Sequence, residues 1–199
     1  MLFRSAFGAE SDVDRDGRVS VLMTPVVNRL TPTEDCDVEF ITGFFFALDV
    51  DPAFRDDQRS NQVEVLYSLV ADPTGSITCE HSAERIRRLV PVTFSHELQH
   101  MINYNQHVLR RQGDSETLWL NEAMSHLAEE LASLHFLALG DTEAFSRFVI
   151  GDLFNAFLFL EDPGAVFALF VAGTGTLEDR KSTRLNSSHS SVSRMPSSA

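Results

Sequence analysis

The chain has 199 residues, of which 43% are hydrophobic, enough for one domain with a sizeable core. Sixteen lysines and arginines stand against twenty-nine aspartates and glutamates, which gives a net charge of −13 at pH 7. This charge repels phosphate backbones and anionic lipid surfaces and so argues against nucleic acid as a partner, and no apolar run has the length of a membrane span.

The first motif along the chain is DVDRDG, which ends at Gly17. Asp12, Asp14 and Asp16 match the first half of a calcium loop. The twelfth position of such a loop is Met23 and not a bidentate glutamate, so an EF-hand is excluded. A hairpin-like turn ahead of the first strand is the favoured interpretation, and calcium remains a hypothesis for a calcium titration to test.

Strands are predicted in the first half of the chain and helices in the second. Segments rich in Val, Ile, Phe and Tyr between Asp, Gly and Pro clusters predict three strands, at Arg18–Val27, Val38–Val50 and Asn61–Asp72. Helical periodicity follows beyond Thr78, in Ser82–Leu89, from Pro91, from about Leu118 and in Asp141–Leu160. Strands followed by helices predict an α+β domain. The segment SNQVEVLY (60–67) is a candidate edge strand for an extended peptide.

The segment PVTFSHELQHMINYNQ predicts a helix that begins at Pro91, because proline fits the first helical position. Side chains four residues apart on a helix lie about 5–6 Å apart at Cβ, so His96 and His100 are able to reach one ion. Glu97 is turned by roughly 100° from His96, where it meets a water on that ion as a general base. Two imidazoles with a carboxylate are a ligand set for zinc.

Two known patterns supply the third ligand of such a site. The metzincin pattern fails, since Asn103 and Gln106 occupy the places where it needs glycine and histidine. A glutamate from a second helix is available at Glu122, in LWLNEAMSHLAEEL. The segment Arg110–Thr117 predicts the turn between the two helices, with a helix cap at Asp114 or Ser115.

These motifs resemble the hyicolysin family of zinc metallopeptidases, of the gluzincin type. The resemblance covers most of residues 8–135, through SHELQHMINYNQ and LWLNEAMSHLAEEL and, before them, DVDRDGRVSVLMTPVVNRL and SNQVEVLY. It implies a zincin-like fold, in which an N-terminal twisted sheet precedes an active-site helix and a glutamate helix. It implies His96, His100 and Glu122 as zinc ligands and Glu97 as the catalytic residue.

Supporting residues are expected around these ligands. NEAMSH also resembles the NEAISD of thermolysin-type enzymes, where the aspartate supports a zinc histidine, but that place is His126 here. A carboxylate from Glu129 or Glu130, one helical turn after His126, is therefore expected to support the zinc histidine instead of that aspartate. Tyr104 and His126 are candidates for stabilising the transition state.

The resulting expectation is a zinc-dependent peptidase acting on peptide or protein substrates. The aminopeptidase signature GxMEN does not occur, which favours an endopeptidase. The alternatives are a catalytically inactive zincin-like binding domain and a non-functional gene fragment. Secretion or a cell-envelope location is expected for the full-length bacterial-type protein, although the N-terminus shows no signal peptide. The oligomeric state stays open, as does whether Cys36 and Cys79 pair.

Residues 180–199 differ in composition from the rest of the chain. They contain eight serines, no acidic residue and Lys181, the only lysine of the protein. Without their four basic residues, twelve basic residues face twenty-nine acidic ones, a net charge of −17. The segment resembles translated sequencing-adapter read-through, and the alternative is a natural disordered tail. A peptidase domain is therefore expected over residues 1–179, truncated at least at its C-terminus.

Overall fold

The computed structural model describes residues 2–37 and 40–161, together with the backbone of residues 189–192. A small sheet is followed by three long helices, which confirms the predicted α+β class. In chain order the elements are α1 (Leu2–Phe7), β1 (Ser20–Met23), α2 (Pro25–Asn28), β2 (Ile41–Phe45), β3 (Val65–Ser68), α3 (Ala83–Tyr104), α4 (Leu118–Ala138), α5 (Thr142–Glu161) and β4 (His189–Val192).

The sheet has the strand order β1-β3-β2-β4, so the prediction that SNQVEVLY forms an edge strand is wrong. β3 pairs in parallel with β1 and antiparallel with β2. Its residues Val65 and Leu66 are only 5% and 2% exposed. Two consecutive buried side chains on a strand indicate cover on both faces, which suits a central position.

All three predicted strands lie in the right place but are shorter than predicted. β1 ends at Met23 because Thr24 caps a short helix, with its hydroxyl accepting a hydrogen bond from the Val26 N–H at 3.3 Å. Pro25 takes the first position of that helix. Proline has no backbone N–H, and at this position a helix needs none for its internal hydrogen bonds. β2 likewise ends in a 3-10 turn at Ala47–Asp49.

The helix that carries the histidines begins earlier than predicted. It is continuous from Ala83 to Tyr104, and Pro91 lies inside it. Ser82 caps its N-terminus, since its hydroxyl accepts a hydrogen bond from the Arg85 N–H at 3.1 Å. An interior proline costs about 3 kcal/mol. Burial on both sides of the proline offsets this cost, through residues such as Ile86 before it and Met101 after it.

The core lies between this helix and the sheet. One cluster joins Phe45 of β2, Leu66 of β3 and Met101 of α3 with Val50. These contacts hold α3 against β2. They therefore determine how far the other side chains of α3 lie from the sheet. A disulfide joins Cys36 and Cys79, which answers the open question of their pairing.

The predictions for the end of the chain fall largely on residues outside the described part. Of the segment 180–199, the structure describes only the backbone of β4, which pairs antiparallel with β2. The foreign origin of that segment and the domain boundary at residue 179 therefore stay predictions. Within the described residues, no helix is both long and apolar enough to cross a membrane.

Candidate metal centre

α3 places two histidines side by side beneath the surface. His96 and His100 are 2% and 1% exposed. Their ring centroids are 4.8 Å apart, and the ring planes stand at 78° to each other. This arrangement follows from the i, i+4 spacing, which puts both side chains on one face of the helix.

Glu122 of α4 meets both histidines. Its Oε2 lies 3.2 Å from His96 Nε2, and its Oε1 lies 3.6 Å from His100 Nε2. One donor atom from each of these three buried residues lies within 4.8 Å of the others. Two nitrogens and one carboxylate oxygen at this spacing fit a metal ion of the zinc type.

The turn before α4 is built differently from the prediction. α3 continues into one π-helical turn at Asn105–Leu109, and α4 then begins at Leu118 as predicted. Thr117 holds the N-cap position, and no side-chain capping bond is present there. The predicted caps Asp114 and Ser115 are therefore wrong. Packing of α4 against α3 fixes this helix start, so a polar cap is not needed.

Glu129 supports His96 from the side opposite to Glu122. Its Oε1 lies 2.6 Å from His96 Nδ1, and Glu129 is only 6% exposed. A carboxylate on the second ring nitrogen fixes the tautomer and turns Nε2 towards Glu122. Glu130, the alternative considered from the sequence, is exposed and points away from the buried face.

His126 occupies the place of the aspartate in thermolysin-type enzymes. It connects the residues around His96 with a third helix, α5. Its Nδ1 lies 2.8 Å from Asp152 Oδ1 of α5 and 3.6 Å from Glu129 Oε1. Its ring packs edge-on against that of His96, with centroids 5.1 Å apart. His96, His126 and Glu129 also form a group of metal-ligating type. Because Glu129 Oε1 lies closer to His96 Nδ1 than to His126 Nδ1, at 2.6 Å against 3.6 Å, we interpret this second group as support for His96.

Charge around His96 alters its protonation. Burial alone lowers the pKa of His96, but hydrogen bonds with Glu122 and Glu129 outweigh it and raise the pKa well above its ordinary value. The charges of Glu129 and Glu97 add to this increase. The pocket is thus strongly negative and favours a bound cation.

His100 is positioned by residues that the sequence analysis missed. Ser125 Oγ lies 3.1 Å from His100 Nδ1 and donates a hydrogen bond to Gln99 Oε1 at 2.7 Å. The Asn103 amide donates a hydrogen bond to Asn121 Oδ1 at 2.7 Å, which ties α3 to α4 beside the candidate ligands. A signal was present in the sequence, because Asn121 and Ser125 share the face of α4 that carries Glu122.

Glu97 is fully buried, at 0% exposure, and it is fixed by the sheet. Its Oε2 accepts a hydrogen bond from the backbone N–H of Phe45 at 2.9 Å. This bond places the end of β2 directly beside the carboxylate. It joins residues 52 positions apart, so local sequence spacing gave no indication of it.

A small cleft, with room for about one water molecule, lies next to His100 and Phe45. Asn103, Tyr104 and His107 also line it. The Tyr104 hydroxyl donates to Asp51 Oδ2 at 2.7 Å, and burial together with this bond raises the pKa of Tyr104. Tyr104 therefore lies at the cleft as a protonated hydrogen-bonding group.

The support by Glu129 gives a testable expectation. Glu129→Gln removes the negative charge beside His96 Nδ1, and we expect a zinc dissociation constant about 10–100-fold higher than in the unmodified chain. Competition with a chromophoric chelator measures this constant. The matched control is Glu130→Gln, one residue along the same helix. Equal zinc affinity of the two variants would exclude a role for Glu129.

Asp12, Asp14 and Asp16 lie far along the chain from these ligands and form a separate exposed group of metal-ligating type before β1. They contribute no side chain to the centre formed by His96, His100 and Glu122.

Comparison with known proteins gives one informative similarity. No family model and no solved structure matches the chain. Over 131 residues the chain is 30% identical to the neutral metalloprotease ShpI of Staphylococcus hyicus. The match covers 65% of this chain and 27% of that relative, so the chain spans only about a quarter of the relative's length. This similarity supports a relationship to metalloproteases.

Proposed function

We propose that the chain is a zinc-dependent peptidase of zincin-like fold and hyicolysin-like, gluzincin type. In this proposal His96, His100 and Glu122 bind the metal, and Glu97 is the general base. The observation that carries it is the convergence of the three donor atoms within 4.8 Å, on the helix that also carries the buried Glu97. The similarity to a neutral metalloprotease points to the same chemistry.

The residues present fit zinc better than calcium or magnesium. Two imidazole nitrogens and one carboxylate match the ligands of catalytic zinc sites, whereas calcium and magnesium prefer oxygen alone. A zinc ion bound there polarises a carbonyl group and lowers the pKa of a coordinated water towards neutrality. The carboxylate of Glu129 on His96 Nδ1 is the support that such a ligand commonly has.

Glu97 has the proton-transfer role in this proposal. It takes the proton of the attacking water and returns it to the nitrogen of the leaving amine. The hydrogen bond from the Phe45 N–H holds the carboxylate in one orientation, so little reorganisation is needed during the reaction. Tyr104 and His126 remain proposed for stabilising the transition state, since Tyr104 lines the cleft and His126 packs on His96. Tyr104 would do so by turning its hydroxyl from Asp51 to the substrate.

The substrate is proposed to be a peptide or protein chain bound at the cleft, where Phe45, the last residue of β2, bonds to Glu97. Alignment by strand pairing is not proposed for β2 or β3, because β3 lies between β1 and β2, and β2 lies between β3 and β4. The missing GxMEN signature favours cleavage within a peptide over removal of its first residue.

A secreted or cell-envelope location also remains a proposal. The disulfide between Cys36 and Cys79 supports it, because disulfides persist mainly in oxidising compartments.

Metal removal tests the proposal directly. The purified chain is expected to cleave an N-acetylated fluorogenic peptide internally. A zinc chelator should lower this rate more than about tenfold, and equimolar zinc should restore it while magnesium should not. Hydrolysis that persists in the zinc-free protein would contradict a zinc mechanism. Stoichiometric zinc without any hydrolysis would instead identify the inactive binding domain.

A further inference from the structure

The two candidate ligand histidines are held by different chemistry. A carboxylate oxygen of Glu129 lies 2.6 Å from His96 Nδ1. His100 instead faces a neutral hydroxyl, since Ser125 Oγ lies 3.1 Å from its Nδ1 and 3.4 Å from its Nε2. An ionised carboxylate only accepts a hydrogen bond, whereas a hydroxyl is able to donate or to accept. The other contacts of this hydroxyl therefore decide how it acts on His100.

The hydroxyl of Ser125 has a single proton, and acceptor oxygens on two other residues lie close to it. Ser125 Oγ donates a hydrogen bond to Gln99 Oε1 at 2.7 Å and lies farther, at 3.2 Å, from the Asn121 carbonyl oxygen. Both of these oxygens accept hydrogen bonds and cannot donate them. Whichever of them takes the proton, Ser125 Oγ presents a lone pair to His100. The shorter distance indicates that Gln99 is the partner that takes it.

This lone pair selects one tautomer of His100, because a ring nitrogen that bonds to it has to carry a proton. Nδ1 is the ring nitrogen closer to Ser125 Oγ, and Nε2 is the one that faces Glu122 Oε1, at 3.6 Å. The arrangement therefore favours a proton on Nδ1. The lone pair of Nε2 is then left for a metal ion on the side of Glu122.

All three side chains are buried between α3 and α4. Gln99 and His100 are each 1% exposed, and Ser125 is 0% exposed. Bulk water is therefore not at hand to replace a lost partner, and a buried polar group without a partner is costly. Gln99 belongs to α3 and Ser125 to α4, so the two hydrogen bonds form only where these helices pack against each other.

We propose that Gln99 positions His100 through Ser125. The two hydrogen bonds, from His100 Nδ1 to Ser125 Oγ and from Ser125 Oγ to Gln99 Oε1, form a relay that keeps His100 Nε2 free for zinc. This inference rests on the zinc centre proposed above. Gln99 and Ser125 are positioning residues in it, since they act on the metal only through His100.

The zinc affinity of the whole 199-residue chain, measured by chelator competition, tests the serine. Ser125→Ala should raise the zinc dissociation constant about 10–100-fold, the usual effect of losing a partner of a metal-binding histidine. The matched control is Ser133→Ala, which removes another fully buried hydroxyl of α4, one that donates to the Glu130 carbonyl. This control should bind zinc as the unmodified chain does, even if both variants melt at a lower temperature.

Changes at Gln99 test whether it acts through the serine. Gln99→Met has a similar shape but lacks the strong acceptor, and it should weaken zinc binding about threefold to tenfold, the range of one ordinary hydrogen bond. In a Ser125→Ala background the same change should have no further effect on zinc affinity, because the partner of Gln99 is already absent. Gln99→Glu keeps an acceptor and should bind zinc at least as tightly as the unmodified chain.

Nitrogen NMR of labelled histidine in the zinc-loaded chain reads the tautomer directly. His100 should carry its proton on Nδ1 and bind zinc through Nε2. A proton on Nε2, or unmodified zinc affinity in Ser125→Ala, would overturn the relay. So would an equal effect of Gln99→Met with and without the serine, or a loss of affinity in folded Gln99→Glu as large as in Gln99→Met. An unmodified chain that binds no zinc would overturn the zinc centre itself, and the relay with it.

Discussion

Glu97→Gln is expected to lower kcat for peptide hydrolysis by about 10²–10⁴-fold, the contribution typical of a general base. Glutamine has nearly the same volume and keeps an acceptor for the Phe45 N–H, so the local structure should persist. It cannot take a proton from water at neutral pH. The loss should therefore appear in kcat with little change in KM, measured with the N-acetylated peptide.

The control for this variant lies on the same helix. Glu84→Gln changes an exposed glutamate in the first turn of α3, and it should retain full activity. Zinc content and the circular dichroism spectrum of Glu97→Gln should match those of the unmodified chain. A kcat within threefold of the unmodified value in a zinc-loaded, folded Glu97→Gln variant would remove Glu97 from the proposed chemistry.

Glu122→Ala should weaken zinc binding by more than the roughly 10–100-fold expected for a lost supporting carboxylate, because it removes a direct ligand. The rate of peptide hydrolysis should fall together with the zinc affinity. Glu122 is 6% exposed, and both of its oxygens face the histidines. Chelator competition measures the zinc affinity, and the control is Glu130→Ala on the exposed side of the same helix.

This variant also separates the two overlapping groups around His96. If Glu122→Ala kept unmodified zinc affinity, the third ligand would lie elsewhere, and Glu129 with His126 would be the next candidates. If Glu122→Ala lost zinc while Glu129→Gln lost only part of its affinity, the assignment of ligand and support would stand.

The positions of the candidate ligands were predictable because the geometry of a helix follows from sequence spacing. The i, i+4 spacing puts His96 and His100 on one face of any helix, wherever that helix packs. Glu122 and Glu129 are seven residues apart, two turns of α4, so both face α3 once that helix packs against it. The expectation that Glu129 or Glu130 replaces the aspartate of thermolysin-type enzymes followed from the same periodicity.

The contacts between distant segments were not predictable in this way. The hydrogen bond from the Phe45 N–H to Glu97 depends on how β2 packs on α3, and the contact of His126 with Asp152 depends on where α5 packs. The predicted edge position of SNQVEVLY was wrong for the same reason. A hydrophobic pattern determines which face of β3 is buried, but it does not determine which strands lie beside β3.

Pro91 and Glu64 show how tertiary structure overrides local rules. A proline normally begins or breaks a helix, yet burial on both sides keeps α3 continuous through Pro91. The sequence excluded an EF-hand at Asp12–Gly17 because its twelfth residue is Met23. The hydrogen bond from the Val13 N–H of that loop to Glu64 Oε1, 51 positions along the chain, was not predictable from this pattern.

The most direct test of the metal centre is the zinc content and zinc K-edge X-ray absorption of the purified chain. We expect one zinc per chain, bound by two imidazole nitrogens and carboxylate oxygen at about 2.0–2.2 Å. The imidazole signal should be lost in a variant that replaces both His96 and His100 by alanine. Substoichiometric zinc after zinc loading, or a spectrum with fewer than two imidazole ligands, would contradict a zinc centre formed by His96, His100 and Glu122.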